Sequence, residues 1–107
     1  MACDTMPAIF RGTTPAFKFT VPFDTAQLEE VWITLAQDRE HLQTKTLADC
    51  VLDGKNIGIK LTQQETLALL GGIATRIQLR VRLKDGSALA SEIFAIDTQS
   101  ILKDGVI

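Results

Sequence analysis

The chemistry this chain can carry is narrowed by its single histidine, His41, and its two cysteines, Cys3 and Cys50. A structural zinc site draws on about four Cys or His ligands at close spacing, and no C-x-x-C or paired-His word occurs. Nucleophilic catalysis needs a Ser, Cys or Thr within reach of a base. His41 follows Glu40 at the start of an expected strand and reads as a solvated surface residue. Carboxylates neighbour one another at Glu29-Glu30 and at Asp49 with Asp53, in expected turns where acids face water. Gly71-Gly72 is too short to cradle a phosphate. These residues predict no catalytic site, no metal and no other cofactor. Without a secretory signal ahead of them, the two cysteines are expected as free thiols. Cys50, beside Val51 and Leu52, reads as a small core residue.

The polar features that remain suit contact rather than catalysis. Arg76, Arg80, Arg82 and Lys84 form a basic stripe. It is either a solvated sheet face salted by Glu92 or a protein-protein surface, since Arg is enriched in interfaces. A net charge of −2 and a pI near 5.3 argue against nucleic acid as the partner. Trp32 opposes Val31, Ile33 and Leu35 across its strand. Core packing on a doubly covered strand is the preferred reading for it, and a contact patch is the other. The apolar ending Val106-Ile107 either docks on a neighbouring chain or forms a last half-strand. The candidate interface residues are therefore Arg76, Arg80, Arg82, Trp32, Val106 and Ile107.

The element that positions the stripe runs from Thr75 to Ile96. Ile77, Leu79, Val81 and Leu83 alternate with Arg76, Gln78, Arg80, Arg82 and Lys84. A period of two sends the aliphatics to one face of a strand and the basic groups to the other. A two-residue loop, Asp85-Gly86, would set Leu79 opposite Glu92 and place a carboxylate on the aliphatic face. A three-residue loop, Lys84-Asp85-Gly86, with Gly86 in the left-handed position, avoids this. Val81 then faces Leu89, Ile77 faces Ile93, Glu92 faces Gln78, and Phe94 lies opposite Arg76.

Elsewhere the chain reads as short strands between turn signals. Residues 1–6 are expected as a loose arm and Ala8-Ile9-Phe10 as a short strand. Phe17, Phe19 and Val21 share one face of a strand ended by Pro22. Asp24 is placed to cap a helical turn, with Gln27 completing a capping box. A strand over Val31–Gln37, the polar turn Asp38-Arg39-Glu40 and a polar edge strand over His41–Leu47 follow. Val51-Leu52, the turn Asp53-Gly54-Lys55-Asn56 and Ile57–Leu61 form a second hairpin. Thr62 and Glu65 make a capping box for one short helix, about 62–70, with Leu67 and Leu70 on one side and Gly71-Gly72 as its stop. Leu83-Lys84-Asp85-Gly86 recurs word for word as Leu102-Lys103-Asp104-Gly105, but the flanks differ and the recurrence reads as chance.

The 107 residues suffice for one domain and are too few for two. A chain of this size buries about 65% of its unfolded surface. Apolar residues make up 46% and no apolar run approaches a membrane span. About eight short antiparallel strands and one short helix predict an all-β domain, an immunoglobulin-like β-sandwich. The Trp-plus-two-Cys signature of antibody domains is missing in usable form.

Several phrases resemble a known family. They are Arg11-Gly12-Thr13-Thr14-Pro15 before an alternating aromatic strand, Leu61-Thr62-Gln63-Gln64-Glu65-Thr66-Leu67, Ile77-Gln78-Leu79-Arg80-Val81, Ala88-Leu89-Ala90-Ser91, and Ile101-Leu102-Lys103-Asp104-Gly105-Val106-Ile107. Together they are similar to small proteins encoded in the tail and late structural regions of phages and prophages of Gram-positive bacteria. The opening phrase resembles, more distantly, the start of the β-sandwich domain of phage baseplate upper proteins. The resemblance implies a non-enzymatic virion component, tail or baseplate associated, made in the host cytoplasm. Its partners would be other phage structural proteins or further copies of itself, with no nucleic acid and no membrane. The alternatives are a soluble adhesion or ligand-binding module, with Trp32 on its binding face, and a capsid decoration protein.

Overall fold

The computed structural model describes residues 1–38 and 42–107, and at Asp4 and Thr5 the backbone alone. His41 and the Arg39-Glu40 part of the expected turn lie outside the described residues. Among the described residues ten strands form: β1 (Ala2–Thr5), β2 (Ile9–Phe10), β3 (Ala16–Thr20), β4 (Leu28–Ala36), β5 (Leu42–Thr46), β6 (Val51–Asp53), β7 (Asn56–Lys60), β8 (Ala74–Leu83), β9 (Ala88–Ala90) and β10 (Phe94–Gln99). One α-helix, α1 (Gln63–Leu67), and short 3-10 turns at Thr25–Gln27 and Leu47–Asp49 complete the described elements.

The smaller sheet has the order β1-β3-β7-β6, and the larger the order β2-β10-β8-β4-β5, with β9 also paired to β8. Neighbours run antiparallel except β2 and β10, which are parallel. In immunoglobulin terms these are the A-B-E-D and G-F-C layers, with β5 beyond C in the C′ place. The expected eight strands appear, with one of them divided and one strand added. The expected first strand is β2, the last is divided into β9 and β10, and β1 is an additional strand in the other sheet. Residues 1–6 are not a loose arm, because Ala2–Thr5 pair with β3. Met1 and Cys3 pack against the core there, which holds the segment down. Cys3 thus lies in a strand, but in the A position, and no disulfide joins it to Cys50.

Alternation builds the core. Phe17, Phe19, Ile57 and Ile59 from the smaller sheet meet Val31, Ile33, Leu35, Ile77, Leu79 and Val81 from the larger, all 0–4% exposed. Across β4 and β8, Val31 faces Val81, Ile33 faces Leu79 and Leu35 faces Ile77. Each buried aliphatic or Phe contributes about 1.5–3 kcal/mol.

The hairpin register is half as expected. The Gly86 N–H bonds the Leu83 carbonyl at 2.9 Å, Gly86 has φ +90°, and Val81 faces Leu89. Past Ser91 the register slips, so that Ile77 faces Phe94, not Ile93, and Ala95 rather than Phe94 faces Arg76. The cause is the Ser91 side chain. The Leu79 N–H donates to Ser91 Oγ at 3.0 Å, in place of a backbone carbonyl. The Ser91 carbonyl is then free to accept from Gln78 Nε2 at 3.0 Å, the place expected for Glu92. One extra residue is absorbed as a bulge. Ile93 is left 58% exposed, and the Phe94 ring lies 6.5 Å from that of Phe19.

The helix is shorter than expected, ending at Leu67. Its capping box forms: Thr62 Oγ1 accepts from the Glu65 N–H at 3.2 Å, and Glu65 Oε1 from the Thr62 N–H at 2.8 Å. The last turn tightens, with the Leu69 N–H on the Thr66 carbonyl. Leu69 therefore enters the core and Leu70, expected to share a side with Leu67, is exposed. At the other cap, Asp24 Oδ1 accepts from the Ala26 N–H at 2.9 Å.

Candidate functional site: the outer face of the larger sheet

Strand pairing sets the outer face. Glu30, Trp32, Thr34 and Ala36 of β4 stand opposite Arg82, Arg80, Gln78 and Arg76 of β8. Beyond β8, Ala90 faces Arg80 and Ala88 faces Arg82. The inner partners of these residues are the core aliphatics, so burial on one side fixes what is displayed on the other.

Trp32 is not a core residue. It is 48% exposed, because no layer covers the outer face of β4 among the described residues. The Arg80 guanidinium stacks over the indole, 5.6 Å from its centre. At an exposed site such a contact contributes about 0.5–1 kcal/mol. Arg82 Nε lies 3.5 Å from Glu29 Oε2, with both side chains about half exposed. Glu30 is turned inward to backbone, accepting from the Val31 N–H at 2.9 Å and the Leu47 N–H at 3.4 Å. Arg76 and Arg80 have no carboxylate partner among the described residues, so the face keeps a cationic surplus.

Two shallow hollows mark this face. One of about 210 Å³ is lined by Glu30, Trp32, Arg80, Arg82 and Ala88. The other, of about 140 Å³, lies between Thr34, Ala36, Arg76, Gln78 and Ile93. The structure thus brings Trp32, Arg80 and Arg82 together and places Arg76 further along the same face. Val106 and Ile107 lie elsewhere and make no last strand. Val106 lines a hollow with Lys60 and Thr62, and Gln63 holds the Ile107 backbone through bonds of 2.8 and 3.0 Å.

Away from this face, the surroundings of Cys50, Glu65 and Asp49 shift their titration. Burial pushes the Cys50 thiol up to about 11, aided by the Asp49 and Glu30 charges, and Cys50 is only half-buried. Burial raises the Glu65 carboxyl, but bonds from Lys45 Nζ and the Thr62 N–H outweigh it and leave it below its ordinary value. The Thr46 N–H lowers the Asp49 carboxyl. Among the described residues no cluster of three or more His, Cys, Asp or Glu could hold a metal ion, and no helix is long and apolar enough to cross a membrane.

Two features escape sequence reasoning. One is a groove of about 530 Å³ on the outer face of the smaller sheet, lined by Lys18, Asp49, Val51, Asp53, Gly58 and Lys60. The glycine in an alternating strand is its signal, since Gly58 puts no side chain between Lys18 and Val51. The other is a clasp around Arg11. Its guanidinium donates to both Asp104 carboxylate oxygens at 2.7 and 3.1 Å, and to the Leu67 and Leu69 carbonyls at 2.9 and 2.8 Å. Thr66 Oγ1 donates to the Thr13 carbonyl at 2.8 Å beside it.

Comparison with protein-family models, with curated proteins and with solved structures finds no match to this chain.

Proposed function

We propose that this protein is a non-enzymatic structural component of a phage virion, associated with the tail or baseplate and acting through protein-protein contacts. The phage assignment rests on the resemblance of its phrases to small tail-region proteins. The contact role rests on one observation above the others: a half-exposed Trp32 stacked under Arg80, at the centre of an open sheet face. Trp and Arg are the residue types that anchor interfaces. The partners are other structural proteins of the particle or further copies of the chain.

The test is to image purified particles carrying a tagged copy of the protein. Label at the tail or baseplate supports the proposal. Label on the head moves it to capsid decoration, and particles without label overturn it. A soluble ligand-binding module is the second reading, favoured by the hollow of about 210 Å³ beside the Trp32 indole. A strict monomer by light scattering that binds free sugars would establish that reading instead.

A further inference from the structure

We infer that the open edge of β9, beside the arginine row, takes an extended segment of a partner protein whose residues alternate between carboxylate and apolar. The inference rests on the contact role proposed above and names the seat and the chemistry of its occupant.

The edge follows from register. The Leu83 N–H bonds the Ser87 carbonyl and the Ser91 N–H bonds the Leu79 carbonyl. In an antiparallel ladder, bonded and non-bonded pairs alternate. Residues 87, 89 and 91 therefore turn their backbone groups toward β8, and Ala88 and Ala90 turn theirs outward. Among the described residues β9 has only β8 as a neighbour, and β2 reaches the same margin of the sheet only at Thr98 and Gln99. The seat thus continues the line of β2, above the point where β2 stops.

Strand margins are normally guarded by Lys, Pro or a covering element. Between Ala88 and Ile96 the chain has neither Lys nor Pro, and its one charge is Glu92. Leu89 and Ile93 are 41% and 58% exposed there. The opposite margin differs: on β5, Lys45 and Gln43 bond Glu65 of α1.

Charge selects the occupant. On the outer face Ala88 and Ala90 are too short to screen Arg82 and Arg80, which lie directly across from them. A strand added at β9 would point every second side chain over those alanines toward the guanidiniums, where carboxylates are favoured. Its other side chains would fall on the opposite side, beside the half-exposed Leu89 that pairs with Val81, where aliphatics are favoured. A second copy pairing through its own β9 would bring two arginine rows onto one face, so the segment belongs to a different protein.

The test titrates the isotope-labelled full chain with the blocked hexapeptide Glu-Val-Glu-Val-Glu-Val and with Lys-Val-Lys-Val-Lys-Val. Saturable shifts are expected at the Ala88 and Ala90 amides and the Trp32 indole, with the Lys peptide at least tenfold weaker. N-methylating alternate amides of the Glu peptide keeps its side chains but removes its ladder bonds, and binding should be lost without any change to the protein. Absence of binding, equal binding of both peptides, or binding that survives N-methylation would overturn the inference. So would a homodimer joined at Ala88–Ala90. Particles that contain the protein while the peptides fail would sink this inference alone. Peptide binding by a protein absent from particles would sink the virion reading alone.

Discussion

Arg11 and Asp104, separated by 93 positions, meet through two hydrogen bonds of 2.7 and 3.1 Å, while the same guanidinium closes the carbonyl end of α1. Three of the phrases that carry the family resemblance converge at this point. They are the Arg11–Pro15 word, the Leu61–Leu67 word and the closing Ile101–Ile107 word. In this chain the three words meet in one tertiary joint.

Removing the Arg11 side chain leaves two carbonyls and a carboxylate to find other partners. Arg11 is 18% exposed and Asp104 61%, so the carbonyl bonds carry more of the effect than the ion pair. Arg11→Ala is expected to cost about 1–3 kcal/mol in urea unfolding, and Asp104→Asn well under about 1 kcal/mol. Equal losses would show that the ion pair dominates.

The Glu65 carboxyl is held below its ordinary value in the folded state by Lys45 and Thr62, against the opposing effect of burial. A depressed folded value means the stabilisation is present above the unfolded value and is lost as pH falls through the folded one. The stability gap between wild type and Glu65→Gln is expected to be about 0.5–1 kcal/mol at pH 7, since Gln keeps an acceptor for the Thr62 N–H and loses only the charge facing Lys45. It should shrink steadily below the ordinary carboxylate range. A gap independent of pH would contradict this.

Trp32 is the sole tryptophan, so its emission reports on the outer face directly. Acrylamide should quench it in the folded protein, and Arg80→Ala should raise the quenching by uncovering the ring. Trp32→Ala should change stability by no more than about 1 kcal/mol, since the side chain is half exposed. Fluorescence insensitive to quencher would place the indole inside.

Gly71 has no room for a side chain. A Cβ there would overlap Ser100 Oγ and lie 2.9 Å from the Ser100 backbone at Cα. Gly71→Ala should destabilise by about 1–3 kcal/mol, and Ser100→Gly should recover only part of it, because the clash with the backbone of residue 100 persists. Full recovery would assign the clash to the Ser100 side chain alone.

The sandwich was legible wherever a strand has one wet face. Phe17-Phe19-Val21, Val31-Ile33-Leu35 and Ile77-Leu79-Val81-Leu83 all point as their alternation requires. The tip at Gly86 followed from the cost of burying Glu92. What period alone could not give is any place where a side chain replaces a backbone partner. The Ser91 hydroxyl in the ladder shifts Phe94 into register with Ile77. The Gln37 amide bonds the Leu70 N–H at 2.7 Å and Arg11 takes the carbonyls beside it, so that Leu69 turns in. Of the candidate site, the arginine row was readable from spacing. The outward aspect of Trp32 was not, because period two says which residues share a face without saying whether anything covers it.

The Arg11 clasp also bears on how the molecule is made. A ribosome delivers Arg11 long before Asp104, so this fastening cannot close until Asp104 itself has emerged. The two sheets can gather their aliphatics earlier, since β8 through β10 precede Asp104 in synthesis. The sheets thus have their partners before the clasp does, and a product cut short just before Asp104 would keep its sandwich and the Arg11 bonds to the Leu67 and Leu69 carbonyls while losing the carboxylate that completes the clasp.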